Sequence, residues 1–196
     1  MNAQDLKNSI LQLAVQGKLV EQRPEEGTAK ELLKKIKAEK EQLIKDKKIK
    51  KEKPLPEITD EEKPFEIPES WEWVRLSELC DMYTGNSISD AIKKSRYMNI
   101  CEGYDYIGTK DVQFSGKIDY ENGVKIPYTD SFRIAKKNSI LMCIEGGSAG
   151  RKIGILDRDV CFGNKLCMFN PLNMINRYVF YTLQSPTFTA TFKEGM

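Results

Sequence analysis

The stretch LMCIEGGSAGRKIGIL, Leu141 to Leu156, gathers the residues of this chain best suited to holding phosphate. Gly146, Gly147 and Gly150 let a backbone approach closely, Ser148 offers a hydroxyl, and Arg151 and Lys152 put two positive charges side by side. A nucleotide-binding loop of the Gly-x-x-x-x-Gly-Lys-Ser/Thr type leads into a helix whose amides hold the phosphates. Here the glycine spacing is off by one, Arg151 stands in the lysine position, no hydroxyl follows Lys152, and IGIL favours a strand. Two readings stay open: a plain turn between strands, or a turn whose backbone and cations meet a DNA backbone.

Catalytic chemistry has little to stand on. The sequence contains no histidine, which removes Ser/His and Cys/His catalysis and the usual nitrogen ligands for zinc. Its five cysteines, Cys80, Cys101, Cys143, Cys161 and Cys167, form no CxxC pair and read as reduced thiols, Cys143 and Cys161 lying within apolar runs. Glu145 and Asp157 are not singled out as a carboxylate pair by any spacing. Asn170-Pro171 lacks the second proline and the aromatic with which DNA amino-methyltransferases grip a flipped base, and reads as a turn. No catalytic residue, metal site or cofactor is expected.

The elements that must position the loops follow from periodicity. Leu6, Ile10, Leu13 and Ala14 recur at helical spacing and predict a helix over 2–16, with Gly17 as its stop. Thr28 to Glu31 is a capping box, so a second helix is expected over about 29–48. Its apolar seam, Leu32, Leu33, Ile36, Leu43 and Ile44, is interrupted by Lys40 and calls for a partner helix in coiled-coil style. The lysines on its outer face read as a solvated surface. Residues 49–69 hold four prolines and a block of acids and read as an extended linker, with a domain boundary near residue 64. Beyond it, strands and turns are expected. SILMCI and KIGIL read as short buried strands, VCFGNKLCMFNP as a strand pair or bent strand, and INRYVFYTLQS as a short helix. Asn122-Gly123, between Ile118/Tyr120 and Val124/Ile126, reads as a type I′ hairpin. Trp71 and Trp73 read as packing anchors. The fold class is α+β: an N-terminal helical spacer or hairpin, then a mainly β domain with a few short helices. Net charge is +5 over residues 1–53, −6 over 54–73 and +3 over 74–196, a distribution that permits nucleic-acid binding without requiring it. No apolar run is long enough to span a bilayer, and a cytoplasmic location is expected.

KNSILQLAVQGKLVEQ, AKELLKKIKAEKEQLIK and, after the linker, PFEIPESWEWVRLSEL together resemble the specificity subunits of type I restriction–modification enzymes, at the junction where a helical conserved region passes into a target recognition domain. QGKLV and IPESWEWVRL are the specific parts. YIGTKDV, GGSAGRKIGIL and CFGNKLCMFNP fit the looser pattern of the recognition domain. The resemblance implies residues 1–50 as helical spacer, 51–63 as linker and 64–196 as a recognition domain incomplete at its C-terminus. It implies a non-catalytic subunit that reads one half of a split duplex DNA target and docks the methyltransferase subunit, with the restriction subunit as an indirect partner. A full specificity subunit resembles two such halves, so either a fragment or a half-subunit that dimerises is expected. Lys93, Lys94, Arg96, Lys110, Arg151, Lys152 and Lys165 are the cations expected on the DNA backbone. Asn86, Ser87, Thr109, Asp111, Ser148 and Asn164 are the polar side chains expected to read bases. The competing reading is a helical scaffold protein whose body only packs.

Overall fold

The structure is a computed structural model that describes residues 2–194. Gly195 and Met196, the end of the expected recognition domain, lie outside them. The chain divides into two compact units: the residues up to Asp81 together with those from Pro171 onward, and Met82–Asn170.

In the first unit, α1 (Ala3–Val15) starts from a capping box in which the Asn2 side chain accepts from the Asp5 amide and the Asp5 carboxylate accepts from the Asn2 amide. The predicted box at Thr28 and Glu31 opens α2 (Ala29–Lys45). Ile36, at the centre of the expected seam, is buried, Leu33, Leu43 and Ile44 are half-buried, and Leu32 is exposed. The helix packs against α3 (Leu76–Leu79). Lys40 interrupts the seam for a reason: its Nζ donates to the Ser77 carbonyl and pairs with Glu52 at 3.0 Å. Within β1 (Cys80–Thr84) the chain leaves this unit, and it returns with α5 (Asn176–Thr182) and α6 (Pro186–Glu194), which pack on α1. Lys7 donates to Gln184 at 2.7 Å and Thr187 donates to Gln12 at 3.0 Å across these contacts. Helix α5 matches its sequence signal, whereas α6 was not expected.

The two motifs that carry the family resemblance meet in this unit. Gly17, at φ +68°, sits over Pro68, where a Cβ would come within 2.5 Å of the proline ring. Trp71 Nε1 donates to Gln22 at 2.8 Å, and Trp73 packs its ring against Phe65 at 5.1 Å. Both tryptophans are packing anchors. The linker between the helices is not simply extended: it holds a 3-10 turn at Asp60–Glu62, and Arg75 grips both Glu62 carboxylate oxygens at 2.6 and 3.0 Å.

The second unit is built on two four-stranded sheets. One has the order β1, β8 (Leu166–Pro171), β5 (Ile140–Cys143), β6 (Ile153–Ile155). The other has the order β3 (Lys125–Ile126), β2 (Tyr104–Ile107), β7 (Val160–Phe162), β4 (Ile134–Ala135). The predicted strands around the glycine loop pair antiparallel with Ile140 opposite Ile155. Strands β2 and β7 are parallel, with Ile107 opposite Phe162. Because strand side chains alternate, Ile107 and Phe162 enter one core with Leu141, Cys143, Leu166 and Met168, while Tyr106 and Cys161 enter a second with Tyr97, Val124 and Ile126.

Three local expectations are corrected. VCFGNKLCMFNP is neither a strand pair nor a bent strand, because β7 and β8 belong to different sheets. The type I′ hairpin at Asn122-Gly123 does not form. Asn122 instead accepts from the Val124 amide at 2.9 Å and donates to the Tyr106 carbonyl at 2.8 Å, which turns the chain so that β3 pairs with β2. A tight hairpin lies upstream, where Val112 bridges Ile118 and the Gly116 amide donates to the Gln113 carbonyl. WEWVRLSEL, within the stretch where strands and turns are expected, forms no strand before α3. No helix among the described residues is long and apolar enough to cross a membrane.

Candidate nucleic-acid interface

Four loops of the second unit are stitched together by hydrogen bonds where strands end: the 85–89 loop after β1, the 108–111 turn after β2, the 144–152 glycine loop, and the 163–165 turn between β7 and β8. The α4 turn (Asp90–Ile92, continuing as a π-helical turn over Lys93–Tyr97) follows the first of them. The Asn86 amide donates to Phe162 O at 2.9 Å, the Gly163 amide to Ile107 O at 2.9 Å, and the Ile144 amide to Lys165 O at 3.0 Å. Lys152 Nζ donates to the Thr109 carbonyl at 3.0 Å and so ties the glycine loop to the 108–111 turn.

The glycine loop settles into one 3-10 turn, Gly146–Ser148, entered by Gly146 at φ +76° and left through Gly150 at φ +70°. Its amides point inward. Ala149 donates to Gly146 O, Gly150 to Cys143 O, and Arg151 and Lys152 both to Ser148 O. Those four amides are thereby taken, and the loop runs into β6, so nucleotide binding has no helix terminus here. The exposed guanidinium of Arg151 donates to Gly147 O at 2.6 Å and lies 5.2 Å from the Phe114 ring. Half-buried Lys152 lies 5.3 Å from the same ring.

The other expected residues divide by what their side chains touch. Ser87, Lys94, Lys110 and Lys165 are exposed, and Asn164 and Ser148 are half-buried. Asn164 and Lys165 are the centre of a turn closed by the Leu166 amide on Gly163 O at 3.0 Å. Lys93 lies over the Tyr106 ring at 5.4 Å and pairs with Asp90 at 3.5 Å. Arg96 is tied to Asp130 at 3.3 Å. Asn86 is a joint: its Oδ1 accepts from the Arg133 amide at 2.8 Å and its carbonyl accepts from the Tyr106 hydroxyl at 2.8 Å. Burial, with the Asp111 charge, pushes the Tyr106 hydroxyl up to about 12, so it stays a neutral donor. Asp111 is buried, accepts from the Gly108 amide at 2.8 Å, and has its pKa raised by that burial. Its carboxylate is committed to the turn and presents nothing to a groove.

Sequence reasoning missed Phe114 and Arg133. Arg133 ties the end of β1 to the 85–89 loop, with Nη1 donating to Thr84 O at 2.6 Å and its amide to Asn86 Oδ1 at 2.8 Å. The signal for Phe114 was present in VQFSGKI, a Ser-Gly turn between β-branched residues. A cleft of about 660 Å³, lined by Asp105, Lys117, Tyr120, Lys125 and Arg158 among others, includes none of the expected DNA-facing residues. Among the described residues, no group of three or more cysteines and carboxylates is placed to hold a metal ion.

No family model matches the chain. It is 52% identical over 104 residues to the type I restriction enzyme EcoAI specificity subunit of Escherichia coli, a match covering 50% of this chain and 18% of that one. It is 60% identical over 74 residues to the EcoEI specificity subunit of Escherichia coli, covering 38% and 12%. The chain thus matches less than a fifth of either relative's length. A crystal structure of the HsdS subunit from Thermoanaerobacter tengcongensis aligns with a TM-score of 0.50 at 19% identity, over 66% of this chain and 30% of that one. The α+β fold is shared with that structure, and the resemblance drawn from QGKLV and IPESWEWVRL is borne out by these relatives.

Proposed function

We propose that this chain is a portion of a type I restriction–modification specificity subunit. It is non-catalytic, and its Met82–Asn170 unit reads one half of a bipartite duplex DNA target. The relatives' names supply the system. The observation that carries the DNA reading is the stitched set of loops, which presents Arg151, Lys110, Lys165, Ser87 and Asn164 from ends of strands that the two sheets hold rigid. Loops on a rigid scaffold suit base reading, because a few side chains must be held in place while the cations neutralise phosphates. In this reading the helices of the first unit serve as spacer and dock the methyltransferase subunit, through which the restriction subunit joins. The whole works in the cytoplasm without a cofactor of its own. The other half-site is read by a second recognition domain, on the same subunit or on a second copy of the chain.

The test is binding to a pool of randomised DNA duplexes, followed by affinity measurements on the enriched sequence. Arg151→Glu with Lys165→Glu changes exposed side chains and spares Lys152, which holds two loops together. The double variant should bind about tenfold more weakly at low salt, and its log–log salt slope should fall by about 2. Enrichment of no sequence by the wild type, or an unchanged slope in the variant, would remove these loops from a DNA interface.

A further inference from the structure

We infer that Phe114 is a base-reading residue that makes apolar contact with a thymine methyl group in the major groove. This rests on the DNA-binding reading above. Phe114 is 62% exposed at the tip of the 111–119 hairpin. That hairpin is not a loose loop. Its arms, Val112 and Ile118, are buried in the core between the sheets. The Gln113 amide donates to Lys117 O, the Gly116 amide to Gln113 O and the Asp119 amide to Asp111 O. Gly116, at φ +87°, supplies the left-handed residue that closes such a turn. The hairpin also lies directly on β6: a Cβ at Gly154 would come within 2.7 Å of the Gly116 carbonyl and 2.8 Å of the Ile118 side chain. The strand leaving the glycine loop therefore fixes the ring beside Arg151 and Lys152, whose charged groups lie 5.2 and 5.3 Å from its centroid.

The surroundings select the occupant. A ring flanked by two cations is poorly suited to a purely apolar protein surface, because docking there would strip water from both charges. It is well suited to a polyanion that carries apolar groups between its phosphates. The thymine methyl is the apolar group that base edges present in the major groove, and a phenylalanine is among the side chains that meet it. Arg151 then holds the backbone while the ring beside it reads the base.

The experiment uses the full chain and the duplex enriched by the wild type. Each thymine is replaced in turn by uracil, which lacks only the methyl group, and affinity is measured for the wild type, Phe114→Ala and Phe114→Leu. For the wild type, uracil at one position should weaken binding about fourfold, the worth of one buried methyl. For Phe114→Ala that position should become insensitive, with the salt slope unchanged. Phe114→Leu, which keeps an apolar side chain on the hairpin, should retain part of the sensitivity. The inference is overturned if no uracil position loses its effect in Phe114→Ala, or if the variant loses affinity only through a smaller salt slope, as a mere prop for the cations would. If the wild type enriches no sequence, the DNA reading fails before this residue is reached.

Discussion

Gly85 shows how little space the loop assembly leaves. A Cβ there would fall 1.9 Å from the Phe162 carbonyl oxygen and 2.5 Å from its carbon, and these are backbone atoms that no rotamer change can move aside. The φ of Gly85 is not positive, so the requirement is for room rather than for an unusual conformation. Gly85→Ala should cost about 2–3 kcal/mol by overpacking, lowering the urea midpoint by roughly 1 M, and a wild-type midpoint would show that the 85–89 loop does not rest on β7 as described. The same scale explains why the site was only half legible. Residue type identified Lys152 and Asp111 as candidates, yet the structure uses Lys152 as a strut to Thr109 and Asp111 as a buried cap on the Gly108 amide. A lysine that bonds a carbonyl and one that awaits a phosphate are the same letter in a sequence.

At the scale of elements, the Arg75 strap makes the linker a part of the fold. The guanidinium takes both oxygens of Glu62 and also donates to the Pro56 and Glu57 carbonyls at 3.4 Å each. The hydrogen bond from Arg75, helped by the Thr59 amide, lowers the Glu62 carboxyl from 4.5 to about 2. A carboxyl depressed in the folded state stabilises it above its ordinary range and loses that contribution as pH falls from about 4.5 towards about 2. Arg75→Gln should return the Glu62 midpoint towards its ordinary value in an NMR titration. The stability gap between wild type and variant should close over the same pH window, and an unmoved midpoint would mean that the strap is not formed. Prolines and a block of acids read as an extended linker, yet one of those acids, Glu62, is the one that anchors it. Helix α6 carries little helical signal in its sequence. TFTATF is rich in residues that favour strands, and the start signal is confined to Ser185-Pro186, where the serine Oγ accepts from the Phe188 amide at 3.2 Å.

For the molecule as a whole, the strands were easier to find than their partners. Fully buried runs such as ILMC announce themselves by composition alone, because both faces are covered. Sheet membership depends on the turns between them. The 163–165 turn carries the chain from one sheet to the other within three residues, a change no apolar pattern records. The thiols offer a test of the whole arrangement. Cys80, Cys143, Cys161 and Cys167 are buried at four separate points in β1, β5, β7 and β8, while Cys101 is exposed. Burial also pushes Cys161 up to about 12 and Cys167 up to about 11, which starves both of reactive thiolate. Brief treatment of the native chain with iodoacetamide at pH 8 should therefore add one carbamidomethyl group, mapped to Cys101. The same treatment in guanidinium chloride should add five, one for each cysteine in the sequence. Each buried thiol reports on the strand that carries it, so a second native adduct would name the strand at fault. Labelling at Cys161 would show β7 unpaired from β2 and β4, and labelling at Cys143 would open the strand that leads into the glycine loop.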